Sequence, residues 1–446
     1  MNCHQYINYL TKTSFYYRGL SILIIALLCF SCDKKMELIT TNGIQFLKGG
    51  KPYYFIGANY WYGAIIGSKE LGDRDRLIKE LDLMQSLGID NLRILVGAEG
   101  SPDNSKVSPA LQPEQGVYNE ELLDGLDYLL SEMRKRDMYA ILYMNNNWIW
   151  SGGMSQYLNW NGYGEVPNPF LEQYSWNEYM AYTAQFHTCE PCKEAYYKHV
   201  EFIMSRTNTY TDILYTEDNT IMSWQVANEP RVLVSEDNEE AFAGWLNETV
   251  RLIQSLDSVH LISTGTEGKH GFFQNMDMFE RLHANKDIDY LTMHMWPKNW
   301  GWYDPENEKE TTDLSIQRAF DYMDEHVLIA NKMNKPIVMS EFGFPRDSSS
   351  IKATSSTTNR NKFYNAIFDK VNKSANENGA LAGLNFWGFG GYASKISENG
   401  VWKPGDDFTA DPPQEPQGLN TVFATDKDLL EMIKISNGNM NKSDEN

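Results

Sequence analysis

Two glutamates stand where the sequence could do chemistry. Trp224-Gln225-Val226-Ala227-Asn228-Glu229-Pro230-Arg231 closes one strand-like segment, and Val338-Met339-Ser340-Glu341-Phe342-Gly343 closes another. An acid at the end of a buried strand is held rigidly yet still faces outward. One such acid alone is commonplace, a rim carboxylate paired with Arg or Lys. Two of them, with Asn before the first and Phe-Gly after the second, supply what cleavage of a sugar acetal requires. One carboxyl gives a proton to the departing oxygen while an ionised one attacks the anomeric carbon. No metal-ligand cluster, phosphate-cradling glycine loop or dinucleotide fingerprint accompanies them, so the sequence implies no metal and no cofactor.

The elements that must position these acids alternate in type. Strand-like runs at 53–58, 91–96, 139–144, 220–227, 260–263, 290–294, 336–340 and 381–386 are separated by amphipathic stretches at 73–86, 119–135, 194–206, 239–256, 315–331 and 358–375. A shorter helical stretch at 275–282 follows the fifth strand. Alternation of this kind is the pattern of repeated βα units, and eight of them close into a (β/α)8 TIM barrel. Both glutamates then lie at the C-terminal rim, after the fourth and seventh strands, where such barrels keep their sites. Two long segments expected to be irregular, 148–191 after the third strand and 388–417 after the eighth, fall on that same face.

Composition narrows the partners. The chain has 446 residues, 42% hydrophobic and 22% charged, which suffices for a large core. Its net charge of −21 argues against nucleic acid and against anionic polysaccharide, leaving a neutral substrate. The 12 Trp and 26 Tyr offer faces that stack on sugar rings, though most must be core or surface.

The N-terminus reads as an export signal. Lys12 and Arg18 precede an apolar run at 20–30, then Ser31-Cys32-Asp33-Lys34-Lys35. A basic flank, a short apolar run and a small residue before the cut describe a signal peptide, and the run is too short to span a bilayer. Cys32 after Ser31 resembles a bacterial lipobox, although Cys29 and Phe30 depart from its usual residues. The expectation is a signal over 1–31, lipidation of Cys32, a tether over 32–42, a catalytic domain over 43–436 and a polar tail over 437–446. The protein would then be extracytoplasmic and touch the membrane only through its lipid. Cys189 and Cys192, three apart, read as a local disulfide or two free thiols, since zinc would need two further ligands.

Asn-Glu-Pro closing one strand and Glu-Phe-Gly closing another resemble clan A glycosidases, and specifically glycoside hydrolase family five. Asn146-Asn147-Trp148 with Gly152-Gly153 and Gln156-Tyr157-Leu158-Asn159-Trp160 is similar to the third-loop motif of its endo-β-mannanase subfamily. Ser263-Thr264-Gly265-Thr266-Glu267-Gly268 resembles the fifth-strand loop, and Asp411-Pro412-Pro413-Gln414-Glu415-Pro416-Gln417-Gly418 the C-terminal motif. The resemblance covers roughly residues 40–425. It implies Glu229 as acid/base and Glu341 as nucleophile in a retaining hydrolysis of β-1,4-mannosidic bonds. Arg93 would keep Glu341 ionised, Asn228 would bind the sugar 2-hydroxyl, and His294 would orient Glu229. Trp387 would be the stacking floor at the cleavage point, while Arg231 and Glu267 would bind the leaving side. Asn145, Trp148, Trp160 and Trp402 are further candidates for sugar contacts. One position departs: Trp296 stands where the subfamily has Tyr, and an indole can donate but not accept.

The implied partner is a neutral mannan-type poly- or oligosaccharide. The sequence leaves open endo action, exo action by a β-mannosidase whose 148–191 loop walls off the non-reducing end, and a β-glucanase of the same fold. A non-catalytic glycan-binding surface lipoprotein is the rival from another class, and it has no need of both an acid and a nucleophile.

Overall fold

The computed structural model describes residues 36–101, 106–397 and 399–442; the expected signal and the lipidated Cys32 lie outside these residues. From Leu38 onward the chain packs as one unit. It begins with a three-stranded antiparallel sheet, Ile39–Asn42 (β1), Gln45–Lys48 (β2) and Lys51–Tyr53 (β3). Residues 39–42 were expected to be tether, but pairing of Ile39 with Lys48 and Asn42 with Gln45 makes them part of the folded domain. Eight strands follow: Phe55–Asn59 (β4), Asn91–Leu95 (β5), Tyr139–Tyr143 (β6), Ile221–Gln225 (β7), Leu261–Ser263 (β8), Leu291–Met295 (β9), Ile337–Phe342 (β10) and Leu381–Phe386 (β11). Every residue in them is buried, as expected of parallel strands covered by helices on one side and filling a barrel on the other.

The sheet runs β8-β7-β6-β5-β4-β11-β10-β9, all parallel. Its two ends meet through Asp289 N–H donating to Ile262 O (2.9 Å) and His294 N–H donating to Glu267 O (3.1 Å). The fold is a (β/α)8 barrel. Helices Gly63–Gly67 (α1), Arg74–Ser86 (α2) and Glu120–Arg134 (α3) cover its first turns. In α3, Leu122, Leu123, Leu126, Leu129, Leu130 and Met133 recur at helical spacing and form the face turned to the barrel.

The first long insertion is more regular than its Gly, Asn, Trp and Tyr content led us to expect. It holds helices Gly153–Trp160 (α4) and Trp176–Thr183 (α5), the latter opened by a capping box between Ser175 and Glu178. Helix Glu190–Met204 (α6) starts four residues ahead of the expected position. Cys189 caps it, Pro191 sits in its first turn, and Cys189 and Cys192 are disulfide-bonded. Helices Glu239–Leu256 (α7), Met276–Leu282 (α8), Glu308–Met333 (α9), Thr358–Asn376 (α10) and Lys427–Lys442 (α11) complete the shell. The second insertion pairs Phe389–Gly391 (β12) with Val422–Phe423 (β13).

Helix α11 corrects the expected polar tail over 437–446, for it runs to Lys442 and buries Asn437. The Asn437 carboxamide accepts from Ile56 N–H (3.0 Å) and donates to Ile56 O (3.1 Å) and Leu87 O (3.3 Å). Pairing between β4 and β5 begins only at Ala58, so this side chain satisfies backbone groups that a neighbouring strand would otherwise take. A polar composition hides this because the polar groups face inward.

Candidate active site

Strand register brings the singled-out residues together at the C-terminal rim. Arg93 near the end of β5 lies beside Asn59 of β4, and Glu341 of β10 lies beside His294 of β9. The β9–β10 register shifts between Met339 and Glu341, and such an irregularity re-aims a side chain at the strand end. Glu229 follows β7 at φ 50°, in the left-handed region. That region costs a non-glycine residue about 1 kcal/mol or more, strain that structures concentrate at functional sites. Its backbone is fixed by Glu229 N–H to Gly265 O (2.9 Å) and Asn228 N–H to Asn145 O (2.7 Å).

Arg93 is fully buried and organises the centre. Its Nη1 donates to Glu341 Oε2 (2.9 Å) and Asn59 Oδ1 (3.0 Å), its Nη2 to Asn228 Oδ1 (2.7 Å) and its Nε to Gln225 Oε1 (2.8 Å). The guanidinium also lies 4.3 Å from the Tyr143 ring centre. The second Glu341 oxygen accepts from Trp296 Nε1 at 3.0 Å, so the departing indole supplies a donor to the carboxylate.

Glu229 is held by different partners. His294 Nδ1 lies 2.8 Å from its Oε1, while His294 Nε2 lies 3.0 Å from Ser340 Oγ. Burial, and next the charge of Arg93, hold His294 well below the usual imidazole range, so the ring is neutral. With Nδ1–H donated to Glu229, Nε2 accepts from the Ser340 hydroxyl, which fixes tautomer and orientation. The other Glu229 oxygen accepts a close bond from Trp148 Nε1.

An oxygen of Glu229, an oxygen of Glu341 and a His294 nitrogen all lie within 4.8 Å of one another. Burial first, and then the neighbouring Glu229 charge, push the Glu341 carboxyl well above the ordinary range, while Arg93 pulls it down. Arg93 and Trp296 each donate to one oxygen of Glu341 and so favour its ionised form. Among the described residues this trio alone has metal-ligand spacing. Each of its four carboxylate oxygens is already within bonding distance of an N–H donor or ring nitrogen, an arrangement suited to proton transfer.

The acids open into a pocket of about 410 Å3 that Asn228, Arg231, Glu267, Trp148, Trp296 and Trp387 also line. Trp387 directly follows β11 and has an indole N–H without a protein acceptor. Arg231 and Glu267 meet in a two-pronged ion pair, with Nη2 to Oε1 at 2.7 Å, and the guanidinium sits 4.6 Å from the Trp148 ring centre. Asn145 is buried behind this wall, its Oδ1 accepting from Asn146 N–H at 2.6 Å. Trp160 packs on Tyr157 and Trp402 on Phe408, and neither lines the pocket. Trp150, Phe170, Trp176, His270, Asn299 and Trp300, which sequence reasoning missed, also line it, as do Ile149 and, from the C-terminal motif, Pro412, Gln414 and Glu415. For Trp150, Phe170 and Trp176 the signal was membership of an aromatic-rich insertion after a strand.

Comparison with known proteins agrees with this geometry. The family model described as glycoside hydrolase family 5, β-mannosidase-like, matches residues 36–445. Mannan endo-1,4-β-mannosidase 7 of Arabidopsis thaliana is 29% identical over 411 residues, covering 89% of this chain and 86% of the relative. The crystal structure of a family 5 mannosidase from Rhizomucor miehei superposes with a TM-score of 0.83 at 32% identity, covering 92% of this chain and 98% of that one. A mutant of that enzyme is known in complex with mannosyl-fructose. The endo-1,4-β-mannanase of the same fungus, at 23% identity and a TM-score of 0.66 over 91% of this chain and 99% of its own, shares the fold. The chain belongs to the β-mannosidase-like branch of glycoside hydrolase family 5 and is a glycoside hydrolase.

Proposed function

We propose that the protein hydrolyses β-1,4-mannosidic bonds within mannans, with retention of configuration, as an endo-acting mannanase. The carrying observation is that an oxygen of Glu229 and an oxygen of Glu341 lie within 4.8 Å of each other, too close to seat a water between the two carboxyls. Inverting enzymes hold their carboxyls about 6.5–9.5 Å apart to admit a water, whereas retaining ones hold them about 5–5.5 Å apart. Glu229 protonates the leaving oxygen as Glu341 attacks the anomeric carbon, giving a covalent glycosyl-enzyme. Glu229, now a carboxylate, then takes a proton from water as it attacks the same carbon and releases Glu341. Asn228, oriented by Arg93, is placed to bond a sugar hydroxyl beside the reacting carbon, a contact that strengthens in the transition state. The mannan substrate is supported by the Arabidopsis thaliana relative and the Rhizomucor miehei mannosidase.

Exo action is a second reading, favoured by one feature. On the Trp387 side of the pocket, Trp150 packs against Trp387 (6.2 Å between ring centres) and Trp61 (5.4 Å), and Trp61 against Phe408 (5.5 Å). Trp61 Nε1 donates to Ala410 O (2.6 Å), so the loops after β4, β6 and β11 interlock there and shorten the room for sugars. Product analysis on linear mannan decides between the two. A ladder of oligomers supports endo action, release of mannose or mannobiose alone supports exo action, and an inverted product anomer by NMR would overturn the retaining mechanism.

We further infer from Ser31-Cys32 after an apolar run that the protein is exported and anchored by lipid on Cys32. A fatty-acid analogue should label the wild type and miss Cys32→Ala; equal labelling would exclude the anchor.

A further inference from the structure

The motif Asn146-Asn147-Trp148 with Gly152-Gly153 has so far contributed Trp148 alone to the site. Asn146 is fully buried and does not line the pocket, yet its side chain touches a residue that does. We propose that Asn146 is a positioning residue. It sets the direction of the Asn228 carboxamide, and so of the donor that meets the sugar 2-hydroxyl. The proposal rests on the β-mannoside reading above and holds for endo and exo action alike.

A carboxamide carries an acceptor at one end and donors at the other, so its partners decide which way it faces. Arg93 has no acceptor, so the Asn228 atom 2.7 Å from its Nη2 is the carbonyl oxygen. Asn228 Nδ2 then donates one hydrogen to Asn146 Oδ1 (3.1 Å). That oxygen also accepts from Trp148 N–H (3.0 Å), and a backbone amide cannot accept, so Asn146 is oriented just as firmly. Behind it, Asn146 Nδ2 donates to Ser151 Oγ (3.0 Å). These bonds leave Asn228 one Nδ2–H, and Asn228 lines the pocket next to Glu229. Arg93 holds only one end of this amide; Asn146 holds the other.

The backbone around this pair is tied independently of the side chains. Asn228 N–H donates to Asn145 O (2.7 Å) and Asn147 N–H to Asn228 O (2.9 Å), so the segments after β6 and β7 stay paired past the strand ends. Those bonds survive a change of side chain at 146, which makes the direction of the amide the quantity that Asn146 controls. The two glycines explain the spacing of the motif. Gly153 has φ 57°, and a Cβ there would lie 2.1 Å from Asn146 O; Gly152 has φ 83°, and a Cβ there would lie 2.0 Å from Glu99 O. Only glycine allows the chain to turn back so closely, which seats the buried Ser151 against Asn146. Met154 N–H closes the turn on Asn146 O (3.0 Å).

An aryl β-mannoside with an acidic phenol, compared with its 2-deoxy counterpart, provides the test. Departure of such a phenol hardly needs Glu229, so the ratio of the two kcat/KM values reports the 2-hydroxyl contact. Asn146→Ala should shrink that ratio roughly fivefold to tenfold, the size of one neutral hydrogen bond, and mainly through kcat on the hydroxylated substrate. Ser151→Ala removes only the acceptor behind Asn146; it should shrink the ratio by less and covers a poorly folded Asn146 variant. Asn228→Ala should shrink it too, and adding Asn146→Ala should then change it no further. A ratio that stays at the wild-type value in whichever of the Asn146 and Ser151 variants folds, while Asn228→Ala shrinks it, would overturn the role of Asn146 alone. An unchanged ratio in Asn228→Ala would overturn the hydroxyl contact on which that role depends. A wild type inert on every β-mannoside would overturn the function and the role together.

Discussion

Arg93→Met is the most informative perturbation of this site. The side chain is fully buried and donates to four acceptors, one of them the Glu341 carboxylate at 2.9 Å. Methionine keeps much of the length and removes both charge and donors. A hydrogen bond to a charged group contributes about 1.5–3 kcal/mol, so kcat/KM near neutral pH should fall roughly 10- to 150-fold. The loss should exceed the effect of one bond, because Asn228 is freed as well. Stability should drop by about 3–5 kcal/mol, the usual result of leaving one partner of a buried pair uncompensated.

The pH profile carries the sign. Burial and Glu229 push the Glu341 carboxyl upward and Arg93 opposes them, so removing Arg93 pushes it higher still. A nucleophile must be ionised, so the acid limb of kcat/KM must move to higher pH. An aryl β-mannoside with an acidic phenol is the right substrate, since its departure hardly needs Glu229 and the limb then reports Glu341. Arg93→Lys keeps the cation but loses the planar fork, so it should shift the limb less while still losing rate. An acid limb that stays in place in Arg93→Met, with only KM raised, would refute the electrostatic role and leave Arg93 as a structural or binding residue.

Further outcomes follow from the same geometry. Glu229→Ala should retain far more activity on an acidic aryl mannoside than on mannan, and azide should rescue it as the β-mannosyl azide; Glu341→Ala should be inactive on both, with any azide product the α-anomer. Reversed anomers would show that the two roles are exchanged. Glu99 is buried and pushed up to about 8 by desolvation, with Gly153 N–H donating to it, so it folds neutral and unfolds ionised at pH 7. Its penalty is absent below the unfolded carboxylate pKa and grows as pH rises toward 8, so Glu99→Gln should stabilise the protein at pH 7 by roughly 3 kcal/mol and flatten the fall in Tm between pH 5 and 8. Asn437→Ala leaves the Ile56 backbone groups buried without partners, and its urea midpoint should fall by the equivalent of about 1–3 kcal/mol with kcat unchanged.

What could be read from the sequence was what local pattern determines. Parallel strands buried on both faces are short apolar runs, so all eight were found within about two residues, and the two glutamates were placed because each lies at or just past the end of such a run. Arg93, His294 and Trp387 were singled out only through the family resemblance, and each lies at or just past a strand end. Pairings made across the fold were not legible. Trp61 and Ala410 are 349 residues apart, and nothing near either one announces the wall they build with Trp150 and Phe408. The ion pair between Arg231 and Glu267, 36 residues apart and braced against Trp148 in the pocket wall, was not legible either.

That difference has a consequence for how function is divided over this barrel. The chemistry rests on strand-end residues, whose positions the register determines, so the reaction class follows from the fold's local grammar. Which bond in a chain is cut depends on surfaces assembled from loops that are far apart in sequence. The wall at Trp150 carries neither catalytic carboxylate, and it can change without moving Glu229 or Glu341. Loop substitutions around Trp61, Trp150 and Phe408 should therefore alter product length while leaving the acid limb of the pH profile in place, whereas Arg93 variants should move that limb and leave product length alone.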